Sequence, residues 1–372
     1  MASSSSSKIV IVGAGSGGGA VLARALSTKL PSAKITLINP LPYAISRPTL
    51  PRMTVSDQND LFDTALMPYD KLFANPNGTF VQGLVEIIKP AAKGGSVVLA
   101  SGQELPYDIL VLAPGSIWEG PLDFPTDPDA VKAFLSESRA RFSKAQKIVL
   151  AGGGAVGIEY AGEIKDIWPN KEVTIVHGDK LLFNPAYPDG FRKGMEKSLR
   201  DRGVSIILND FLDDIPAPGP ANIKTRNGHS IDADLVVTTR GPRPNTEFVA
   251  RSLGADTLDE RGQIKVTKTL QLINHPNIFA IGDAINTVEQ KQVMKAMAHS
   301  GIVAGNIIAT VSGKGLKPYK GSPEMIIVTN GKNGGKAYMG ILWGLTFGDW
   351  FARMIKSKTL MVPMARSGLG LS

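Results

Sequence analysis

Two glycine clusters, "GAGSGGG" beginning at Gly13 and "GGGAVG" beginning at Gly152, are the parts of this sequence best suited to chemistry. Each holds a G-x-G-x-x-G frame, with Gly13, Gly15 and Gly18 in the first and Gly152, Gly154 and Gly157 in the second. Glycines at this spacing allow a tight turn and let backbone N–H groups approach a pyrophosphate at a helix N-terminus, where the helix dipole favours anions. The chemistry implied is dinucleotide binding, twice over.

Other polar residues sit at telling distances from these clusters. Asn39 ends the run "KITLIN", where an acidic residue usually holds both ribose hydroxyls. Its amide oxygen still accepts a hydroxyl, without charge; the bland alternative is an asparagine that starts a turn before Pro40. His177 holds the matching place in the second unit, with Lys180 soon after, and it either contacts a ribose or merely ends a strand. Without a carboxylate there to repel a 2′-phosphate, the second site should not strongly prefer NADH over NADPH. Glu159 lies two residues after Gly157, in the first turn of an expected helix. There it is either a carboxylate favoured by the helix dipole or a side chain pointing to a nicotinamide ring. "AIGDA" sets Gly282 and Asp283 directly after a buried apolar strand, well placed for the ribityl chain of a flavin.

The elements that position these residues repeat one grammar. "KIVIVGAGSGGGAVLARAL" reads strand, glycine turn, helix, followed by the strand "KITLIN"; "QKIVLAGGGAVGIEYAGEI" and "EVTIVHG" repeat it. Residues 40–78 are rich in proline, asparagine and aspartate and read as an ordered insertion containing "YAISRPTLPRM". A buried strand ends at Ala113, a helix is expected from about Pro128 to Ser143, and a long helix over 290–311. The last fifty residues read as strands at "MIIVTN" and "GKAYMGIL" followed by a helix with an apolar stripe at Phe347, Trp350, Phe351, Met354 and Ile355. That stripe either packs on the body or, with Arg353, Lys356 and Lys358 beside it, lies on an anionic membrane surface.

Length and composition bound the rest. A chain of 372 residues exceeds one simple core and implies two or three domains. With no cysteine, disulfides, thiolate zinc sites, iron–sulfur clusters and dithiol redox pairs are excluded. The excess of 41 basic over 33 acidic residues, a net +8, favours anionic partners. The lysines at 314, 317, 320, 332 and 336 read as a solvated face, so nucleic acid binding is expected to be absent or nonspecific. "MASSSSSKIV" has no signal-peptide h-region, and Ala2 stands where N-myristoylation needs glycine.

Together these motifs resemble the two-dinucleotide-binding flavoproteins, and among them the apoptosis-inducing-factor-like branch that includes the ferroptosis suppressors. The likeness rests on "GGGAVGIEYAGEI", "WPNKEVTIVHG", "YDILVLAPGS", "NIFAIGDA", the spacing of Lys291 and His299, and "KSKTLMV". It implies an α/β chain of two Rossmann-like domains in a glutathione-reductase-like fold with a small α+β C-terminal region. On that frame residues 1–7 are a disordered leader, 8–120 with 250–320 bind FAD, 121–249 bind NAD(P)H, and 321–372 carry the amphipathic helix. It further implies cofactor contacts at Arg47, Pro48, Val85, Ala113, Pro114 and Gly241, and ties Glu159 and Lys356 to activity. The expected reaction is NAD(P)H-dependent reduction of ubiquinone- or vitamin K-type quinones, in the cytoplasm or peripherally on lipid droplets, the mitochondrial outer surface or the plasma membrane. Ferredoxin- or rubredoxin-type reductases and a flavin redox sensor with an apoptosis-type role are the alternatives. The chain departs from the family pattern at Asn39, at Pro114 and Arg240, where threonine is usual, and at Ala2.

Overall fold

The computed structural model describes residues 6–57, 60–341 and 344–371, so most of the expected leader lies outside the described residues. Two mainly parallel sheets organise the chain. The first has six strands in the order Gln271–Leu272, His275–Ala280, Ile109–Leu112, Lys8–Val12, Lys34–Asn39 and Gly78–Gln82. Only Gln271–Leu272 runs antiparallel to its neighbour. The second has four parallel strands, Val204–Leu208, Glu172–His177, Lys147–Ala151 and Leu235–Thr238. Ile109–Leu112 is buried at every residue and Lys8–Val12 from Ile9 on, the continuous apolar reading of parallel strands covered on both faces.

In each sheet the strand that feeds a glycine cluster lies between the strand after it and a much later one. Strand order reverses there, and that reversal opens a crevice beyond the strand ends for a ligand. A short antiparallel pairing of Ser116–Ile117 with Arg243–Pro244 ties the segments leaving the two sheets. A third sheet of antiparallel strands, Met325–Thr329, Gly335–Met339 and Leu345–Phe347, forms the C-terminal region. The strand expected to run through Leu342 ends at Met339, and Leu342 lies outside the described residues.

The helices among the described residues are α1 (Gly19–Lys29), α2 (Leu50–Val55), α3 (Leu61–Ala65), α4 (Ala130–Lys144), α5 (Ala155–Ile167), α6 (Asp189–Arg200), α7 (Glu247–Leu253), α8 (Val293–Val311), α9 (Asp349–Ala352) and α10 (Val362–Gly368). None is long and apolar enough to cross a membrane. Helix α5 is the hub. Every residue from Gly157 to Lys165 is buried, because three bodies cover it: its own sheet, α2 from the 40–78 insertion, and the C-terminal sheet. Tyr160 stacks on Phe142 at 5.5 Å and shares a 2.7 Å hydrogen bond with the Thr54 hydroxyl. Gly162 has no room for a side chain, since a Cβ would sit 2.4 Å from the Gly331 nitrogen.

A buried charge pair locks this junction. Arg52 of α2 donates from Nε and Nη2 to the two carboxylate oxygens of Glu163, both at 2.8 Å, and Nη2 also donates to the Ser357 carbonyl at 2.9 Å. Both side chains are 4% exposed. Burial pushes the Glu163 carboxyl above its ordinary range in spite of the opposing pull of Arg52.

The tail differs from its expected single helix. Phe347 ends a strand, α9 holds only one turn, and Arg353–Ser357 widens into a π-helical turn before α10. The stripe divides: Phe347 and Phe351 are half-buried and stack at 4.4 Å, whereas Trp350 is 67% and Met354 60% exposed. Wide turns of this kind occur where a side chain is re-aimed for function, and here the turn contains Lys356.

Replacing Glu163 by Ala leaves a guanidinium buried without its carboxylate. Denaturant unfolding should then show a loss of about 3 to 5 kcal/mol, and Glu163→Gln, which keeps an acceptor, a smaller one. Equal stability of the Ala variant and the parent would remove this pair from the account of the junction.

Candidate functional site

The first crevice is built on the turn after Lys8–Val12. Gly13 has φ +93, and a Cβ there would lie 2.1 Å from the Ala113 oxygen, so only glycine fits against the neighbouring strand end. At Gly15 a Cβ would meet nothing within 4 Å, which leaves that face of the loop open to a phosphate. Gly18 makes only ordinary contacts; the third close approach falls instead on Gly19, where a Cβ would sit 1.8 Å from the Gly13 oxygen. Sequence spacing missed Gly19, and also Gly17, which lets the loop touch Val293 at the start of α8. The unbroken run Gly17–Gly19 was the signal.

Around this loop the structure gathers most of the expected contacts. Arg47 and Pro48 lie in the single 3-10 turn Arg47–Thr49. The Arg47 side chain is exposed, yet surrounding protein desolvates its guanidinium and lowers its pKa, while Asp283 and Asp123 pull the other way. An exposed cation in such surroundings stands in a cleft. Asp283 follows Gly282, whose φ is +79, and accepts a 3.0 Å hydrogen bond from the Ser116 hydroxyl. Ala113 and Pro114 supply the wall against Gly13. Val85 opens the strand Val85–Pro90 and is packed in the same buried cluster as Ala14, Ala113 and Ala284.

The second crevice repeats the first. Gly152, with φ +131, would bring a Cβ to 2.5 Å from the Thr239 oxygen, Gly154 faces open space, and Gly157 would approach the Gly152 oxygen at 2.0 Å. Thr239 braces the loop by donating to the Gly152 carbonyl at 2.8 Å. Gly241, with φ +98, turns the chain beyond the end of Leu235–Thr238.

The residues in the acidic positions also match. Asn39 Oδ1 accepts the Ala14 N–H at 3.2 Å while its Nδ2 donates to the Leu41 carbonyl at 2.9 Å. His177 Nδ1 accepts the Gly153 N–H at 3.1 Å, which leaves Nε2 to donate to the Phe183 carbonyl at 3.1 Å. In both units the strand-end side chain ties down the residue after the first fingerprint glycine. Their first duty is to hold the phosphate loop, and each does so with a neutral acceptor.

Glu159 is not in the first turn of its helix. α5 begins at Ala155, so Glu159 falls in the second turn, where it is 5% exposed and beyond the reach of the helix end. Its partner is the other residue that the family resemblance singles out: Lys356 Nζ donates to Glu159 Oε1 at 2.6 Å and to the Ile327 carbonyl at 2.9 Å. The Thr329 N–H adds a 3.2 Å bond to the same oxygen. Of three ammonium protons two are engaged, and Glu159 Oε2 is left for a further donor. The pairing across 197 positions is not readable from spacing.

A model of the pyridine nucleotide-disulphide oxidoreductase family matches residues 7–300. An FAD-dependent oxidoreductase of Flammulina velutipes is 47% identical over 321 residues, 86% of this chain and all of that protein. Ferroptosis suppressor protein 1 of Taeniopygia guttata is 31% identical over 78% of this chain and 79% of its own. Among solved structures, the sulfide:quinone oxidoreductase of Aquifex aeolicus superposes with a TM-score of 0.78 at 20% identity, over 98% of this chain and 92% of that one, a likeness of fold.

The paired strand-end braces give a selective test. Asn39→Ala should weaken FAD binding about tenfold and leave NAD(P)H binding unchanged, while His177→Ala should do the reverse. Fluorescence titration of each cofactor reads this, and a variant that loosens both or neither would refute separate bracing.

Proposed function

We propose, on the premise that this chain belongs to the pyridine nucleotide-disulphide oxidoreductase family, that it is an NAD(P)H:quinone oxidoreductase acting on ubiquinone- or vitamin K-type quinones. At the coarser level it is an FAD-dependent pyridine nucleotide oxidoreductase. Bound in the first crevice, FAD would supply hydride acceptance from NAD(P)H and two-electron transfer to the acceptor. The finer reading rests above all on the Glu159–Lys356 pair in a chain without cysteine. A dithiol relay is impossible, so the acceptor has to take electrons from the flavin and find its protons elsewhere.

The chain's own groups divide that work. The glycine loops would hold the two pyrophosphates, and the Asp283 carboxylate acts electrostatically on the Arg47 guanidinium. Glu159 Oε2 is free to accept an N–H of the nicotinamide carboxamide and so orient it. The third proton of Lys356 Nζ is free to meet a quinone oxygen as negative charge develops there. Support also comes from relatives named ferroptosis suppressors and from a structural neighbour described as a sulfide:quinone oxidoreductase.

The exposed face of Trp350, Met354 and Ile355, with Arg353 and Lys358 exposed beside it, fits the interfacial region of an anionic bilayer, from which a lipid-like quinone would reach Lys356. Vesicles containing anionic lipid should retain the parent protein and release a Trp350→Ser, Met354→Ser variant; equal retention would remove the membrane route.

The visible spectrum of the purified protein should show bound flavin, bleached by NADH or NADPH and restored by a soluble quinone faster than by oxygen. Lys356→Ala should lower quinone turnover about a hundredfold while flavin content stays constant. A flavin that no quinone reoxidises faster than oxygen, or full turnover in the variant, would overturn the quinone assignment.

A further inference from the structure

The flavin grip at Gly282–Asp283 is itself held from behind by a side chain the proposed reaction does not use. The Gly282 N–H donates to His299 Nδ1 at 3.2 Å. His299 projects from α8, is 2% exposed, and sets its Nε2 3.3 Å from Glu289 Oε2. An acceptor Nδ1 requires the neutral ring with its proton on Nε2, and that proton faces the carboxylate.

Glu289 is fixed in turn. Tyr319 donates its hydroxyl to the carboxylate at 2.9 Å, the Ser322 N–H does so at 2.8 Å, and Lys295 Nζ lies 3.5 Å away. The Tyr319 ring meets the imidazole edge-on at 4.7 Å. Lys291, on the segment leading into α8, and Asp283 itself are the remaining charges that act on the ring.

We infer that His299 is a positioning residue for FAD, a latch that holds the Gly282–Asp283 turn while its ring is neutral and releases it on protonation. A proton on Nδ1 turns the acceptor into a donor facing the Gly282 N–H. The hydrogen bond is lost, two donors oppose each other, and the turn that carries Asp283 loses its brace.

The direction with pH follows from the surroundings. Burial lowers the imidazole pKa below its ordinary value of about 6.5, against the opposing pull of Glu289. Burial alone would raise the Glu289 carboxyl, but hydrogen bonds from Ser322, Tyr319 and His299 together with Lys295 hold it below the usual range, so it stays ionised while His299 titrates. With its folded pKa depressed, the neutral latch contributes fully above about pH 6.5 and is lost as pH falls through the folded value. FAD binds the latched form, so its affinity should fall in the same direction.

Equilibrium binding of FAD, followed by flavin fluorescence between pH 5 and 8, tests this without any turnover. The parent should lose affinity by up to about tenfold per pH unit once the ring protonates. His299→Asn places a non-titrating Oδ1 at the site of Nδ1 and should bind like the parent at pH 7.5 with a flat profile. His299→Ala should bind more weakly throughout, also flat; if it does not fold by circular dichroism, the Asn variant carries the test. A flat profile in the parent, or an Asn variant that follows the parent's curve, would overturn the latch.

Discussion

Two carboxylates one helical turn apart on the buried stretch of one helix have to be neutralised from outside that helix, and the packing around α5 does so. Glu163 receives Arg52 from the 40–78 insertion, and Glu159 receives Lys356 from the C-terminal region. Each cation comes from a different part of the chain, so α5 acts as a shared wall. Arg52 also holds the Ser357 carbonyl, next in sequence to Lys356, and the two charge pairs are thereby mechanically joined. Neither pair tolerates independent movement of its parts, because an unpaired charge at such depth is far more costly than the pair is favourable.

The symmetry of the two cofactor crevices goes deeper than their glycines. In each, one glycine touches the neighbouring strand, one faces open space, and one lets the helix close on the turn. In each, the side chain at the end of the next strand binds the loop's own N–H. A carboxylate in either place would bring a negative charge toward the phosphates; asparagine and histidine perform the bracing without it.

Much of the architecture was legible in the sequence because it depends on local pattern. β-Branched runs ending in glycines fixed the two sheets, and "AIGDA" located the turn at Gly282. Patterns blurred where the decisive contact was distant or where backbone geometry shifted by one residue. Gly19 rather than Gly18 fills the tight place because the first turn is longer by one residue than the second. The tail read as one helix because its apolar spacing suits 3.6 residues per turn, but Phe347 pairs with Ala337 in the sheet and Arg353–Ser357 adopts a wider turn. Nothing in residue spacing foretells that Glu159 and Lys356 meet, or that His299 reaches back to Gly282.

The same clasp joins parts of the chain that lie far apart in sequence. Long spans join the parts: Arg52 meets Ser357 across 305 positions, Glu159 meets Lys356 across 197, and within the first nucleotide unit Ser300 reaches the Gly18 carbonyl across 282. Loop closure over such spans costs more entropy than nearer contacts do, and the clasp shares that cost with the first nucleotide unit. The first glycine loop and the Glu159–Lys356 contact therefore share a dependence: neither is complete without residues from beyond position 290.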